Sequence, residues 1–162
     1  MIEKYMKCAL ALAKKAWEIG EIPVGAVVVK RDTGEIVGEG FNLRETDKSP
    51  LAHAEIIAIN KASKKLGGWR LVGCDLYVTL EPCPMCAGAI INSRIENVYY
   101  GADDPKNGSC GSVINLFELP YNHKPNMVSG VLKEECSLIL TEFFTELRKK
   151  PKEKWNNKKP SA

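Results

Sequence analysis

Leu76-Tyr77-Val78-Thr79-Leu80-Glu81-Pro82-Cys83-Pro84-Met85-Cys86-Ala87-Gly88-Ala89-Ile90 reads as a strand that runs straight into a helix. Residues 76–80 form a short apolar run of the length expected for a buried strand. Pro82 is a residue type favoured at a helix start, and Cys83 and Cys86, three apart, fall on one side of a first helical turn. The partial positive charge at such a helix end favours thiolate, the form of cysteine that binds metal.

A second helix start lies upstream. Ser49 suits an N-cap and Pro50 the first helical position, and Ile56, Ile57, Ile59 and Leu66 follow with helical spacing, which places His53 in the first turn. Two helix starts can then converge on one ion. His53, Cys83 and Cys86 supply one imidazole and two thiols, a set that holds zinc with three protein ligands and leaves a fourth corner for water. Glu55 cannot easily point at the same spot as His53, so it is assigned to proton transfer, as the general base and acid beside the metal.

Each motif has a plainer reading. A lone Cys-x-x-Cys is also a redox pair or half of a four-ligand structural zinc site, and His-x-Glu occurs by chance. Their combination is more specific, because the chain has only two histidines and no second Cys-x-x-Cys. Cys8, Cys74, Cys110 and Cys136 are scattered, and three of the four lie in apolar stretches that suit a small core residue. His123, between Asn122 and Lys124, reads as a loop residue.

The remaining elements extend the α/β pattern. Met6, Leu10, Ala13 and Trp17 give residues 3–19 a helical stripe that Gly20 ends. Residues 24–30 and 36–42 flank Asp32-Thr33-Gly34 as a hairpin. The His53 helix ends near Gly67-Gly68. After the cysteine helix come a strand at 98–101, a short helix at 113–117 and a last strand at 126–129. A long helix over 131–150 carries Leu132, Cys136, Ile139, Leu140, Phe143, Phe144 and Leu147. A leading hairpin followed by alternating helix and strand predicts a three-layer α/β/α sandwich with a mixed sheet. Residues 1–150 form a single domain in this reading, and 151–162 a basic C-terminal tail.

The pairing of His53-Ala54-Glu55 with Pro82-Cys83-x-x-Cys86 resembles the signature of the zinc-dependent nucleoside and nucleobase deaminases, the cytidine/deoxycytidylate deaminase family. Pro23-Val24-Gly25-Ala26-Val27, Gly38-Glu39-Gly40-Phe41-Asn42, Leu76 to Cys83, Met85 to Ile90 and Gly101-Ala102-Asp103-Asp104-Pro105-Lys106 are similar to the bacterial branch that converts wobble adenosine to inosine in tRNA. The similarity runs from about residue 3 to about residue 150. It implies strand order 2-1-3-4-5, one zinc ion per chain, and hydrolytic deamination of adenosine 34 in a tRNA anticodon stem-loop. It also implies a homodimer. Among substrate contacts it implies Asn42 on the target nucleotide, the Ala54 backbone amide on the base, Asp103 and Lys106 on the anticodon, and Phe144 beside the flipped bases. As bare sequence Asn42 is equally a turn residue, Asp103 and Lys106 a solvated turn, and Phe144 a core residue. The zinc and glutamate arrangement also serves deaminases of free guanine or cytosine, which is the alternative activity. A zinc-stabilised binding module without catalysis is disfavoured by Glu55 and the open ligand position.

Composition sets outer bounds. A chain of 162 residues buries about 70% of its unfolded surface. With 44% hydrophobic and 27% charged residues it has the make-up of a globular domain. A net charge of +3 is too small to identify a nucleic-acid binder, but Arg148, Lys149, Lys150, Lys152, Lys154, Lys158 and Lys159 crowd the C-terminus, as a solvated tail or as phosphate contacts. No apolar stretch approaches the ~20 residues of a membrane span, and no leader-like segment opens the chain. Two metal-binding and four unpaired cysteines suit a reducing compartment, so the expected location is cytoplasmic.

Overall fold

Four helices and five strands are laid out along residues 1–150, the part that the computed structural model describes. The basic tail expected over 151–162 lies outside the described residues. In chain order the elements are α1 (Ile2–Glu18), β1 (Gly25–Lys30), β2 (Glu35–Phe41), α2 (Ala54–Leu66), β3 (Cys74–Leu80), α3 (Pro84–Asn92), β4 (Asn97–Ala102), β5 (Asn126–Val128) and α4 (Lys133–Arg148). A 3-10 turn at Leu116–Glu118 precedes β5.

The strands form one sheet in the expected order, β2-β1-β3-β4-β5. β1 runs antiparallel to both β2 and β3, whereas β3, β4 and β5 are parallel. Strand alternation sends side chains to two layers. Ala26, Val28, Leu76, Val78 and Val98 pack with Ala58, Ala62, Ile90 and Ile95 on the α2 and α3 side. Val27, Val29 and Tyr77 face Tyr5 and Leu12 of α1 on the other, where Met6 and Ala9 also meet Cys136 of α4. The three-layer α/β/α sandwich is therefore present.

Mixed strand direction has a direct consequence for function. Gly25 at the start of β1 pairs with Phe41 at the end of β2, Ala26 pairs with Val78 near the end of β3, and Leu80 pairs with Ala102 at the end of β4. Four strands thus deliver Val24, Asn42, Glu81 and Asp103 to the same edge of the sheet. α3 begins at that edge too, directly after β3, and a crevice at the carboxyl ends of parallel strands is where α/β folds place ligands. No helix among the described residues is long and apolar enough to cross a membrane.

α2 lies unusually close to the sheet. A Cβ added at Gly38 would overlap the carbonyl oxygen of Ala58 and crowd the amide of Ala62, and one at Gly40 would overlap the carbonyl oxygen of Ala54 and crowd the amide of Ala58. Small residues at every fourth position of the helix, Ala54, Ala58 and Ala62, complete this contact and are all buried.

Several boundaries differ from the sequence expectation. α2 starts at Ala54, not near Pro50; residues 44–51 form turns, and Ser49 spends its hydroxyl on the Leu51 amide at 3.2 Å. His53 is consequently the N-cap residue and not part of the first turn. α3 is capped by Cys83, and the proline at its start is Pro84, not Pro82. The helix expected at 113–117 is displaced to the 3-10 turn at Leu116–Glu118, because the Asn115 side chain caps the Phe117 amide at 3.1 Å. α4 starts two residues later than expected and ends two earlier.

Candidate active site

Two helix N-termini meet at the sheet edge. His53 is the N-cap residue of α2 and Cys83 that of α3, each with extended backbone angles and no side-chain bond to its own helix, and Cys86 lies in the first turn of α3. His53 Nδ1 stands 3.6 Å from Cys83 Sγ and 3.5 Å from Cys86 Sγ. The three donor atoms all lie within 4.8 Å of one another. Zinc bonds of about 2.3 Å to sulfur and about 2.0–2.1 Å to nitrogen, at a tetrahedral angle, separate such atoms by about 3.5 Å. The donor set and its spacing therefore fit one zinc ion.

Electrostatics at the centre agree with that chemistry. Hydrogen bonding from Cys86, assisted by His53, pulls the Cys83 thiol down to about 4, so this sulfur is a thiolate at neutral pH. The same hydrogen bond, together with burial, pushes Cys86 up, so without a metal the pair retains one proton. His53 is raised by its contact with Cys83 against the opposing effect of burial. Glu55, the second residue of α2, is 4% exposed, and burial pushes its carboxyl up to about 7.

Above this floor a cavity of about 680 Å³ opens towards solvent, a size ordinary for small-molecule sites. It is lined by His53, Glu55, Cys83 and by Asn42, Ala54, Asp103, Lys106 and Phe144, so eight of the nine residues singled out in the sequence border one space. Cys86 is the ninth, fully buried behind Cys83.

The rim residues differ in how they are held. Asn42 is both a turn residue and a cavity residue: Nδ2 donates to Ile22 O at 3.3 Å and Oδ1 accepts from the Arg44 amide at 3.1 Å. Asp103 turns its carboxylate to Lys133, 3.2 Å away, whereas the neighbouring Asp104 accepts from the amides of Lys106 and Asn107, both at 3.2 Å, and shapes the loop. Phe143 is in the core, edge-on to Trp17 at 5.4 Å, and Phe144 is 37% exposed and borders the cavity, so Phe144 is not the core residue that its bare sequence allows. Arg44, Asp104, Pro105 and Asn107 also line the cavity and were not anticipated. Arg44 carried no local signal, whereas Asp104 and Pro105 sit inside a stretch already marked by resemblance.

Residues away from the site take structural places. His123 Nε2 is 2.6 Å from Ile95 O and clips the loop before β5 to the turn between α3 and β4. Cys74, Cys110 and Cys136 are buried and unpaired, and Cys8 is half-buried and also unpaired.

Comparison with known proteins agrees with this geometry. The model of the cytidine and deoxycytidylate deaminase zinc-binding region matches residues 1–102. A tRNA-specific adenosine deaminase of Bacillus subtilis (strain 168) is 56% identical over 151 residues, 93% of this chain and 92% of the relative. A solved structure from work on A-to-I editing by tRNA:A34 deaminases at the wobble position superposes with a TM-score of 0.81 at 43% identity, over 85% of this chain and 99% of that one. A guanine deaminase from Nitrosomonas europaea shares the fold at a TM-score of 0.73 but only 26% identity, over 88% of this chain and 84% of its own. Since that family model matches residues 1–102 and the Bacillus subtilis relative is 56% identical over 93% of this sequence, the chain belongs to the zinc-dependent cytidine and deoxycytidylate deaminase family.

Proposed function

We propose that the protein deaminates adenosine hydrolytically at the wobble position, 34, of tRNA, giving inosine and ammonia. The observation that carries this reading is the contrast within one cavity between a buried chemical floor and a rim that, among the described residues, nothing covers. Glu55 and the zinc ligands lie at the bottom, while Arg44, Lys106 and Phe144 stand at the mouth. A deaminase of free bases must close over its substrate. An enzyme acting on an anticodon needs an entrance for a splayed nucleotide, with charge and an aromatic face for its neighbours. The names borne by the Bacillus subtilis relative and by the wobble-deaminase structure support the same substrate class.

His53, Cys83 and Cys86 hold the ion. Zinc bound there supplies the Lewis acidity that makes water a nucleophile near neutral pH. Glu55 removes a proton from the water that attacks C6 of the adenine and passes it to the ring nitrogen. It then helps to protonate the amine as the C6–N bond breaks, so one water enters and one ammonia leaves. Burial keeps this carboxyl able to hold a proton and to release it. Asn42 and the Ala54 amide orient the target nucleotide, and Asp103, Lys106 and Phe144 meet the rest of the anticodon. Asp103 does so from beside Lys133, as part of a paired charge. The family resemblance supports a second copy of the chain as partner, and a tRNA substrate supports action in the cytoplasm.

The test is to incubate the zinc-loaded protein with an anticodon stem-loop carrying adenosine at the wobble position, and in parallel with guanine and cytidine. Inosine in the stem-loop and slow turnover of the small molecules are expected. Rapid ammonia release from guanine or cytidine, with no inosine, would overturn the reading in favour of a free-base deaminase.

A further inference from the structure

Three buried carboxylates, Glu21, Asp75 and Glu81, lie outside the metal centre, and of these Asp75 is paired with Arg31 at 2.7 Å. Glu21 and Glu81 are 1% and 2% exposed, and among the described residues neither forms a salt bridge. A buried charge without a cation is unfavourable unless hydrogen bonds replace its water, so the partners reveal what each carboxylate holds. Glu21 accepts from the Glu45 amide at 3.1 Å and from both the amide and the hydroxyl of Thr46 at 2.6 Å. Glu81 accepts at Oε1 from the Asp104 amide at 3.1 Å and the Ser112 hydroxyl at 2.5 Å, and at Oε2 from the amides of Cys110 at 3.1 Å and Ser112 at 3.0 Å.

All of these bonds come from residues outside the helices and strands, five from backbone amides and two from hydroxyls, and from two segments only. One is the turn after β2 that carries Arg44; the other is the loop after β4 that carries Asp103, Lys106 and Asn107. Both segments line the cavity. None of the bonds reaches His53, Glu55, Cys83 or Cys86. Gly108 belongs to the same device: a Cβ there would overlap Cδ and Oε2 of Glu81, so only glycine lets the loop fold down onto the carboxylate.

We infer that Glu21 and Glu81 are positioning residues for substrate recognition, fixing the two loops of the mouth in the shape that admits RNA. They act through Arg44 and the 103–107 segment and not on the reacting base. Glu81 has the larger role, because it holds four donors against three and adjoins the zinc end of α3 through Pro82. The inference rests on the RNA-acting reading above. It requires that loosening the mouth weaken substrate capture while leaving the chemistry on the floor intact.

Glu81→Gln tests it. Each oxygen faces an N–H, so an amide nitrogen in either position meets a donor and breaks the set. The KM for the stem-loop should rise about tenfold, the size of one lost charge-assisted bond, with kcat held within about threefold and zinc at one per chain. Ser112→Ala is the gentler variant, since it removes only the hydroxyl at an exposed position; it should raise KM by about two- to threefold, and Ser112→Thr should restore it. Glu21→Gln should act in the same direction through Arg44. An unchanged KM in both Glu81→Gln and Ser112→Ala overturns the inference. So does loss of zinc and kcat at constant KM, which would make Glu81 a support of the metal. A wild-type protein that forms no inosine defeats the functional reading itself, and is seen before any variant is measured.

Discussion

The floor and the rim of the cavity are built by opposite means. On the floor, chemistry comes from residues two or three apart in sequence, His53 with Glu55 and Cys83 with Cys86, set at the N-terminal ends of two helices that rest on a sheet. At the rim, Arg44 and the 103–107 segment lie outside helices and strands, and to the local bonds of Asn42 and Asp104 they add anchorage by carboxylates more than twenty residues away along the chain. The difference suggests a division of labour, in which a local and rigid unit performs the reaction and long-range hydrogen bonds decide what reaches it.

The largest break in that comparison is predicted for the floor. Cys86→Ser removes a fully buried ligand, so zinc measured by metal analysis should fall below one per chain. Activity should drop to background, a loss of at least about 10³-fold, in keeping with the several kcal/mol that metal catalysis supplies. Full zinc content in that variant would show that the three-ligand assignment is wrong.

Glu55→Gln sharpens the comparison within the floor. It should keep zinc and stem-loop affinity and lower kcat by about 10²-fold or more, the usual contribution of a general acid and base. If zinc is lost with the carboxylate, Glu55 belongs to the ligand set and not to proton transfer.

The smallest effects are predicted where α4 touches both regions. Phe143→Ala empties a core position against Trp17 and should destabilise the fold by about 3 kcal/mol in denaturant titration. Phe144→Ala should cost about 1 kcal/mol or less, but raise the stem-loop KM by about fivefold, as expected for lost stacking on a base. Equal stability losses and equal KM values for the two variants would erase the boundary between core and mouth on this helix.

The same division governs what could be read in the sequence. Periodicity and spacing marked every helix and strand, because each rests on local pattern, and the ligand set followed from three residue types at helix starts. The boundaries shift by a few residues at α2, at α3, at the 3-10 turn and at both ends of α4, and the largest cause at the rim is long-range. Ser49-Pro50 has the chemistry of a helix start, yet the helix begins four residues later because Glu21 engages Glu45 and Thr46 and holds this stretch in turns. Nothing near Ser49 announces a carboxylate from the end of α1. Arg44 escaped notice for the same reason. Glu81 stands between β3 and the cysteine motif, but its role depends on the Asp104–Ser112 loop folding back over it, a long-range event that no window of sequence contains.

Gly40 has a consequence for how the chain can vary. No side chain stands between this strand residue and the carbonyl of Ala54, which sits between His53 and Glu55. The imidazole and the carboxylate therefore inherit their height from the backbone of an outer strand, while the thiols of α3 take theirs from β3. A methyl group at Gly40 would act as a shim under one half of the centre alone, lifting nitrogen and carboxylate away from two sulfurs that stay where they were. An alanine, elsewhere the mildest of replacements, would there misalign a metal that it never touches.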